Sequence, residues 1–156
     1  MIEIERKFLV RTNAFKNEAH QHYAIAQGFL NTDPERTVRV RLKGDKGYIT
    51  VKGNSNSNGT TRFEWEKEIT IEEARTLLTL CKAVVIKTRY EVQVENHIFE
   101  VDVFEDTNEG LIVAEVELND ENELFSKPDW LGEEVTGQPQ YYNSQLSIKP
   151  YKTWQK

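Results

Sequence analysis

The sequence predicts a mainly β chain of about eight antiparallel strands with a few covering helices, on two observations. Segment after segment alternates apolar with polar residues at the two-residue period of a half-buried strand. The links between segments are short and rich in turn residues, as hairpin neighbours require. Strands are expected at about 2–9, 23–30, 37–43, 48–52, 62–69, 87–94, 98–105 and 111–118. GDKG (44–47), ENH (95–97) and EDTNEG (105–110) supply turn chemistry between them. GNSNSNG (53–59) is too short for a domain linker and reads as a flexible loop between two strands.

Helices are fewer. In TIEEARTLLTLCKA, Thr70 is placed to cap a helix and Glu73 follows three residues later, a capping box. Leu77, Leu78, Leu80 and Cys81 would give this helix an apolar stripe, making Cys81 an inert core thiol on a helix face. Asp120 with Glu123 suggests a second short helix before Pro128, with further helical turns at 13–20 and after Pro139. A length of 156 residues suits one domain, residues 1–156, large enough to bury a core.

Composition narrows the partners. Twenty Lys and Arg against 26 Asp and Glu give a net charge of −6, which argues against a nucleic-acid polymer or an anionic membrane surface. A single cysteine cannot form an intramolecular disulfide, so a reducing compartment is natural. No leader pattern and no long apolar run is present, and a cytoplasmic location without a membrane span is expected.

The charged positions carry the functional signal. The first strand offers Glu3, Glu5 and Lys7 between Ile2, Ile4 and Phe8; TVRVRLK offers Arg39, Arg41 and Lys43. Lys52 follows in YITVK, Arg62, Glu64 and Glu66 in RFEWEKEI, Lys87, Arg89 and Glu91 in KTRYEVQV. Glu100 and Asp102 lie in FEVDV, and Glu115 and Glu117 in VAEVEL. Two architectures fit this pattern: a sandwich or open sheet with a solvated charged face, or a sheet closed on itself with the charges inside. Charge is segregated by strand, and buried unpaired charges cost several kcal/mol each. An inward face of this kind therefore needs ligands. Same-face residues on one strand lie roughly 6.5–7 Å apart, so facing Glu-x-Glu strands could supply hard oxygen ligands to Mg²⁺ or Mn²⁺. The basic strands would take a polyanion.

EIERKFLV, RVRLK, TVKG, EWEKEI, KTRY, FEVDVFE and AEVEL, in this order, resemble the CYTH, or triphosphate tunnel metalloenzyme, superfamily, in its short bacterial single-domain type. The resemblance extends to WLGEEVTGQPQYYNSQLS and so covers nearly the whole chain. It implies an α+β, mainly β fold: an eight-stranded antiparallel closed β-barrel, a tunnel with a charged interior. It also implies divalent-metal-dependent hydrolysis of a phosphoanhydride bond, most often in inorganic tripolyphosphate. Glu3, Glu5, Glu115 and Glu117 would bind metal, and Lys7, Arg39, Arg41, Lys52, Lys87 and Arg89 phosphate, with Arg62 and Glu64 as further lining residues. The alternatives within the tunnel are a non-catalytic binder of triphosphate, polyphosphate or nucleotide, and an adenylyl cyclase acting on ATP. A plain β-sandwich interaction module stands outside the resemblance. Assembly as a monomer or a homodimer is left open.

The chain departs from the resemblance at AQGFL. Short bacterial members carry a tyrosine here that is paired with the KTR lysine to orient water, whereas Phe29 has no hydroxyl. Lys87 is therefore expected to be the catalytic, water-orienting group, assisted by a tyrosine such as Tyr48 or by a water at the metal. Structural roles are expected for Glu91 and Glu100, and Glu64 and Glu66 are read as possible ion-pair partners of the basic strands. His20 and His22 are assigned to a polar helical or loop segment at the surface, and His97 to a hairpin turn. Trp65, Trp130 and Trp154 are read as packing residues, because no basic surface accompanies them.

Overall fold

Alternation at period two becomes a closed cylinder in the computed structural model, which describes residues 1–155. The elements run β1 (Ile2–Val10), α1 (Phe15–Glu18), β2 (Gln21–Asn31), β3 (Thr37–Lys43), β4 (Lys46–Ser55) and β5 (Thr61–Ile69). They continue with α2 (Ile71–Leu78), β6 (Val84–Val94), β7 (His97–Phe104), β8 (Ile112–Glu117), β9 (Leu131–Glu134) and α3 (Asn143–Leu146). The sheet order is β5-β4-β3-β2-β6-β7-β8-β1-β9, and an additional β5–β1 pairing closes the first eight strands into an antiparallel barrel.

Strand β1 makes closure possible because it uses both edges. Glu5 to Leu9 pair with β8, while Ile2 to Ile4 pair on the other edge with β5. Past that point β5 diverges, and β9 takes over the same edge opposite Phe8 and Val10. This ninth strand was not expected, since Leu131–Glu134 is only four residues long and shows no extended alternation. Its chain continues along β1, with Val135 N–H donating to Lys7 O at 2.8 Å and Lys7 N–H to Thr136 Oγ1 at 2.9 Å.

The apolar core sits mostly outside the cylinder. Phe8, Val92, Phe99, Val101, Ala114 and Val116 form the outer face of β1 and β6–β8, covered by Phe15 of α1 and by Trp130. Trp130 is fully buried, with its ring edge-on to Phe15 and Phe99. A second cluster of Val85, Phe104, Leu111, Val113 and Leu146 joins barrel strands to α3 and forms an apolar floor at one end of the interior. The expected capping box is present: Thr70 Oγ1 accepts from Glu73 N–H and Glu73 Oε1 accepts from Thr70 N–H.

Several expectations require correction. The segment after Asp120 is a turn, not a helix: Asn119 N–H donates to Glu123 Oε1 and Asn122 N–H to Asp120 Oδ1, the bonds that would cap a helix, but no helical turn follows them. Cys81 lies three residues beyond the end of α2, and Leu80 is exposed, so neither extends a helical stripe. His22 lies within β2, stacked on Tyr90 at 5.1 Å, rather than in a helix or loop. Trp65 is partly exposed, whereas Trp154 packs edge-on against Tyr141 and Tyr151. No helix among the described residues is long and apolar enough to cross a membrane.

Close approach makes one glycine testable. A Cβ at Gly28 of β2 would lie 2.7 Å from both Cβ and Sγ of Cys81. Gly28→Ala is expected to destabilise the fold by about 1–3 kcal/mol through overpacking, measured as a lower denaturant midpoint at unchanged slope.

Candidate active site

All eleven charged residues singled out from the sequence line one cavity of about 250 Å³ inside the barrel: Glu3, Glu5, Lys7, Arg39, Arg41, Lys52, Arg62, Lys87, Arg89, Glu115 and Glu117. Register explains the grouping. Glu5 lies opposite Glu117 and Lys7 opposite Glu115 across the β1–β8 pair, and Glu3 lies opposite Arg62 across β1–β5. Cross-strand partners share a face, so these side chains point the same way. The strand order then puts β3, with Arg39 and Arg41, on the far side of the cylinder from β1 and β8.

The carboxylate wall is under strong electrostatic stress. Burial, followed by the charges of Glu115 and Glu3, pushes the Glu5 carboxyl well above its ordinary range. Burial would raise Glu115 too, but the Lys7 ammonium, a hydrogen bond with Glu5 and the charges of Arg89 and Lys87 hold it far below. Lys7 Nζ sits 3.8 Å from Glu115 Oε1. Glu3 is also pushed upward by burial, yet Lys52, 3.0 Å away, more than offsets this and leaves it lowered. Lys52 also reaches Glu64 at 3.2 Å.

The basic wall has more donors than acceptors. Arg39 and Arg41 both direct Nη2 at the same oxygen of Glu66, at 3.3 and 3.2 Å, and Thr50 Oγ1 donates to that oxygen at 2.7 Å. Burial, and then repulsion from Arg41, pulls the Arg39 guanidinium down to about 10. The Nε atoms of Arg39 and Arg41 are buried without a hydrogen-bond partner. Such donors are costly to leave unpaired, and the two guanidinium groups that carry them line the cavity. Arg62, by contrast, spends Nε and Nη2 on Gly53 O at 2.9 and 2.7 Å.

At the inner end, Lys87 is 1 % exposed and pairs with Asp102 at 2.7 Å, while Arg89 grips the same carboxylate through Nε and Nη2 at 2.8 and 2.9 Å. Burial pulls the Lys87 ammonium down to about 8, despite the opposing attraction of Asp102. Glu100, expected to be structural, pairs with Arg89 Nη1 at 3.2 Å and also lines the cavity. Glu64 and Glu66 likewise serve as ion-pair partners and as cavity wall. Tyr48 does not line the cavity; its ring lies beneath the Arg41 guanidinium at 5.6 Å. Phe29 does line it, directly across from Arg39 in the β2–β3 register.

Sequence reasoning missed Asp102 as the clamp of Lys87 and Arg89, and missed Lys43, Thr37, Tyr142, Asn143 and Ser144 as lining residues. Asp102 and Lys43 were visible as charged positions of alternating strands. Tyr142 joins a 3₁₀ turn (Pro139–Tyr141) to α3, and Asn143 and Ser144 open α3, where no strand period points inward. They arrive because Gly137 (φ +77°) and Gly59 (φ +79°) let two loops touch backbone to backbone.

A divalent cation is compatible with this donor set. The acidic wall offers only carboxylate oxygens, the ligands hard cations take, and burial together with the charges of Glu115 and Glu3 pushes the Glu5 carboxyl upward. Among the described residues no three acidic or imidazole groups already converge on one point.

The sequence and fold resemble those of known proteins. The chain is 49% identical over 154 residues to a protein of Acetivibrio thermocellus named inorganic triphosphatase, covering 97% of both. It is 34% identical over 153 residues to the inorganic triphosphatase of Nitrosomonas europaea, covering 95% of this chain and 98% of that one. A crystal structure of an inorganic triphosphatase superposes with a TM-score of 0.66 at 32% identity, covering 94% of each chain. The CYTH domain description matches residues 1–148, and the chain belongs to the CYTH domain family.

Proposed function

We propose that this protein is a divalent-metal-dependent triphosphatase that hydrolyses a phosphoanhydride bond of inorganic tripolyphosphate within the tunnel. The carrying observation is the meeting, in one cavity, of a carboxylate wall short of cations and a guanidinium wall short of acceptors. The curated relatives are named for the same activity.

Glu3, Glu5, Glu115 and Glu117 would hold the cation, Mg²⁺ or Mn²⁺. Once bound, it supplies charge neutralisation at the phosphoryl oxygens and lowers the pKa of a water. Arg39 and Arg41 of β3 bind phosphate oxygens through their guanidinium groups, Lys52 of β4 and Arg89 of β6 add positive charge from other strands, and Lys7 of β1 adds it from the carboxylate wall. Arg62 contributes charge near the mouth. Lys87 orients the attacking water, and its neutral amine takes the proton as the water oxygen bonds to the terminal phosphorus. The bridging P–O bond then breaks, and pyrophosphate leaves with that electron pair. Positioning and neutralisation do most of this work, as phosphoryl transfer allows.

We further read residues 1–156 as one tunnel domain that works in the cytoplasm, as monomer or homodimer. Its partner is a small anion rather than a nucleic-acid polymer or a membrane, in keeping with a net charge of −6. Phe29 favours a second reading, a binder without turnover, because it places a ring without a hydroxyl beside Arg39.

Phosphate release from tripolyphosphate decides between the two. Release is expected with Mg²⁺ or Mn²⁺, none with chelator, and at least about a hundredfold loss in Glu5→Ala and in Lys87→Ala. Triphosphate that raises the unfolding temperature without releasing phosphate would favour the binder, and pyrophosphate made from ATP would indicate a cyclase. The pH dependence has a definite sign. With Lys87 near 8, lowering the pH charges the amine, so kcat/KM is expected to rise through about pH 8 and level off above it. A profile flat across that range contradicts the role given to Lys87.

A further inference from the structure

The floor of the tunnel reaches the proposed catalytic lysine through one side chain. Asn143 is the first residue of α3, a segment anchored by the fully buried Leu146 in the apolar floor. Its Oδ1 accepts two hydrogen bonds, from Lys87 Nζ at 3.0 Å and from Gln27 Nε2 at 2.8 Å. Gln27 is completely buried in β2, so its amide is a fixed donor. Two donors on one oxygen lock the Asn143 amide with oxygen toward Lys87. The cost is visible: Gln27 Oε1 is buried without a partner, a loss that a packing role alone would not require.

We propose that Asn143, held by Gln27, is a positioning residue for Lys87. This rests on the triphosphatase reading. An amine nitrogen has four tetrahedral directions, one of them taken by Cε. Asp102 Oδ2 and Asn143 Oδ1 take two more as acceptors. The remaining direction belongs to the cavity that Lys87 lines. In the neutral amine both protons are engaged and the lone pair is what faces the tunnel. Asp102 alone would let the amine rotate about Cε–Nζ; a second acceptor on another element stops that rotation. The charged groups around Lys87 are Asp102 of β7, Arg89 of β6 and Glu115 of β8, while β2 and α3 present only the two amides.

The test compares Asn143→Ala and Asn143→Asp with wild type in two readouts. The first is the Lys87 titration in the free protein by lysine side-chain NMR, with the resonance identified by its absence in Lys87→Ala. Asn143→Asp keeps the acceptor but adds a negative charge, and is expected to raise the Lys87 midpoint by about one pH unit or more. The second is tripolyphosphate hydrolysis, where Asn143→Ala is expected to lose roughly ten- to a hundredfold in kcat with KM nearly unchanged. An unmoved Lys87 midpoint in Asn143→Asp overturns the contact, and wild-type kcat in folded Asn143→Ala overturns the positioning role. A wild-type protein that releases no phosphate overturns the triphosphatase reading instead, and the NMR titration still decides whether Asn143 holds Lys87.

Discussion

The structure depends on one constraint: the charged face of the sheet is turned inward. Antiparallel sheets commonly put such a face in water, where each charge is solvated and worth little. Here β1 pairs with β8 on one edge and with β5 on the other, and the cylinder leaves no open face. Acidic and basic side chains must then satisfy one another across a narrow interior, and they do so incompletely. Two guanidinium groups share a single oxygen of Glu66, and burial with the charges of Glu115 and Glu3 pushes the Glu5 carboxyl well above its ordinary range. An interior with such residual stress is stabilised by any ligand that supplies cation to one wall and anion to the other.

The rest of the fold is arranged to bear that cost. A barrel filled with charge cannot have its main apolar core inside, so the core moves to the outer surface of β1 and β6–β8, beneath α1 and Trp130. Helix α2 covers β3 and β4, with Ala74 packed against the backbone at Gly47. Val85, Phe104, Val113 and Leu146 form an apolar cluster at the inner end of the tunnel, and Lys87 is buried beside it with Nζ 5.4 Å from the Phe104 ring. Burial there, more than any single charge, brings the lysine toward neutrality near physiological pH. An apolar floor and charged walls thus do different chemical work within one interior.

How much of this was legible follows from what period two can and cannot encode. Each strand that lines the tunnel announced its inward residues by alternation, so Glu3, Glu5, Arg39, Arg41, Lys87 and Glu115 could be named before any coordinates. Alternation does not say which face is inside; the segregation of charge by strand and the resemblance to a family supplied that. Pairing is also invisible in it, so the convergence of Lys87 and Arg89 on Asp102, which depends on the β6–β7 register, could not be read. Strand β9 was too short to register, and the turn after Asp120 imitates a capped helix because the same side chains serve both. Asn143 and Tyr142 lie in an irregular segment whose place is set by loop contacts far apart in sequence. Nothing local to QYYNSQL points to a tunnel floor.

Calorimetric titration of tripolyphosphate into the Lys87→Ala protein, with Mg²⁺ and with chelator, tests most directly whether the inward charges form a ligand site. Hydrolysis is blocked there while Arg39, Arg41 and the four carboxylates remain. The account predicts saturable binding of one triphosphate per chain with Mg²⁺, and much weaker binding when the cation is removed. A folded protein that binds no triphosphate under either condition would contradict it, and the inward charges would then need another explanation.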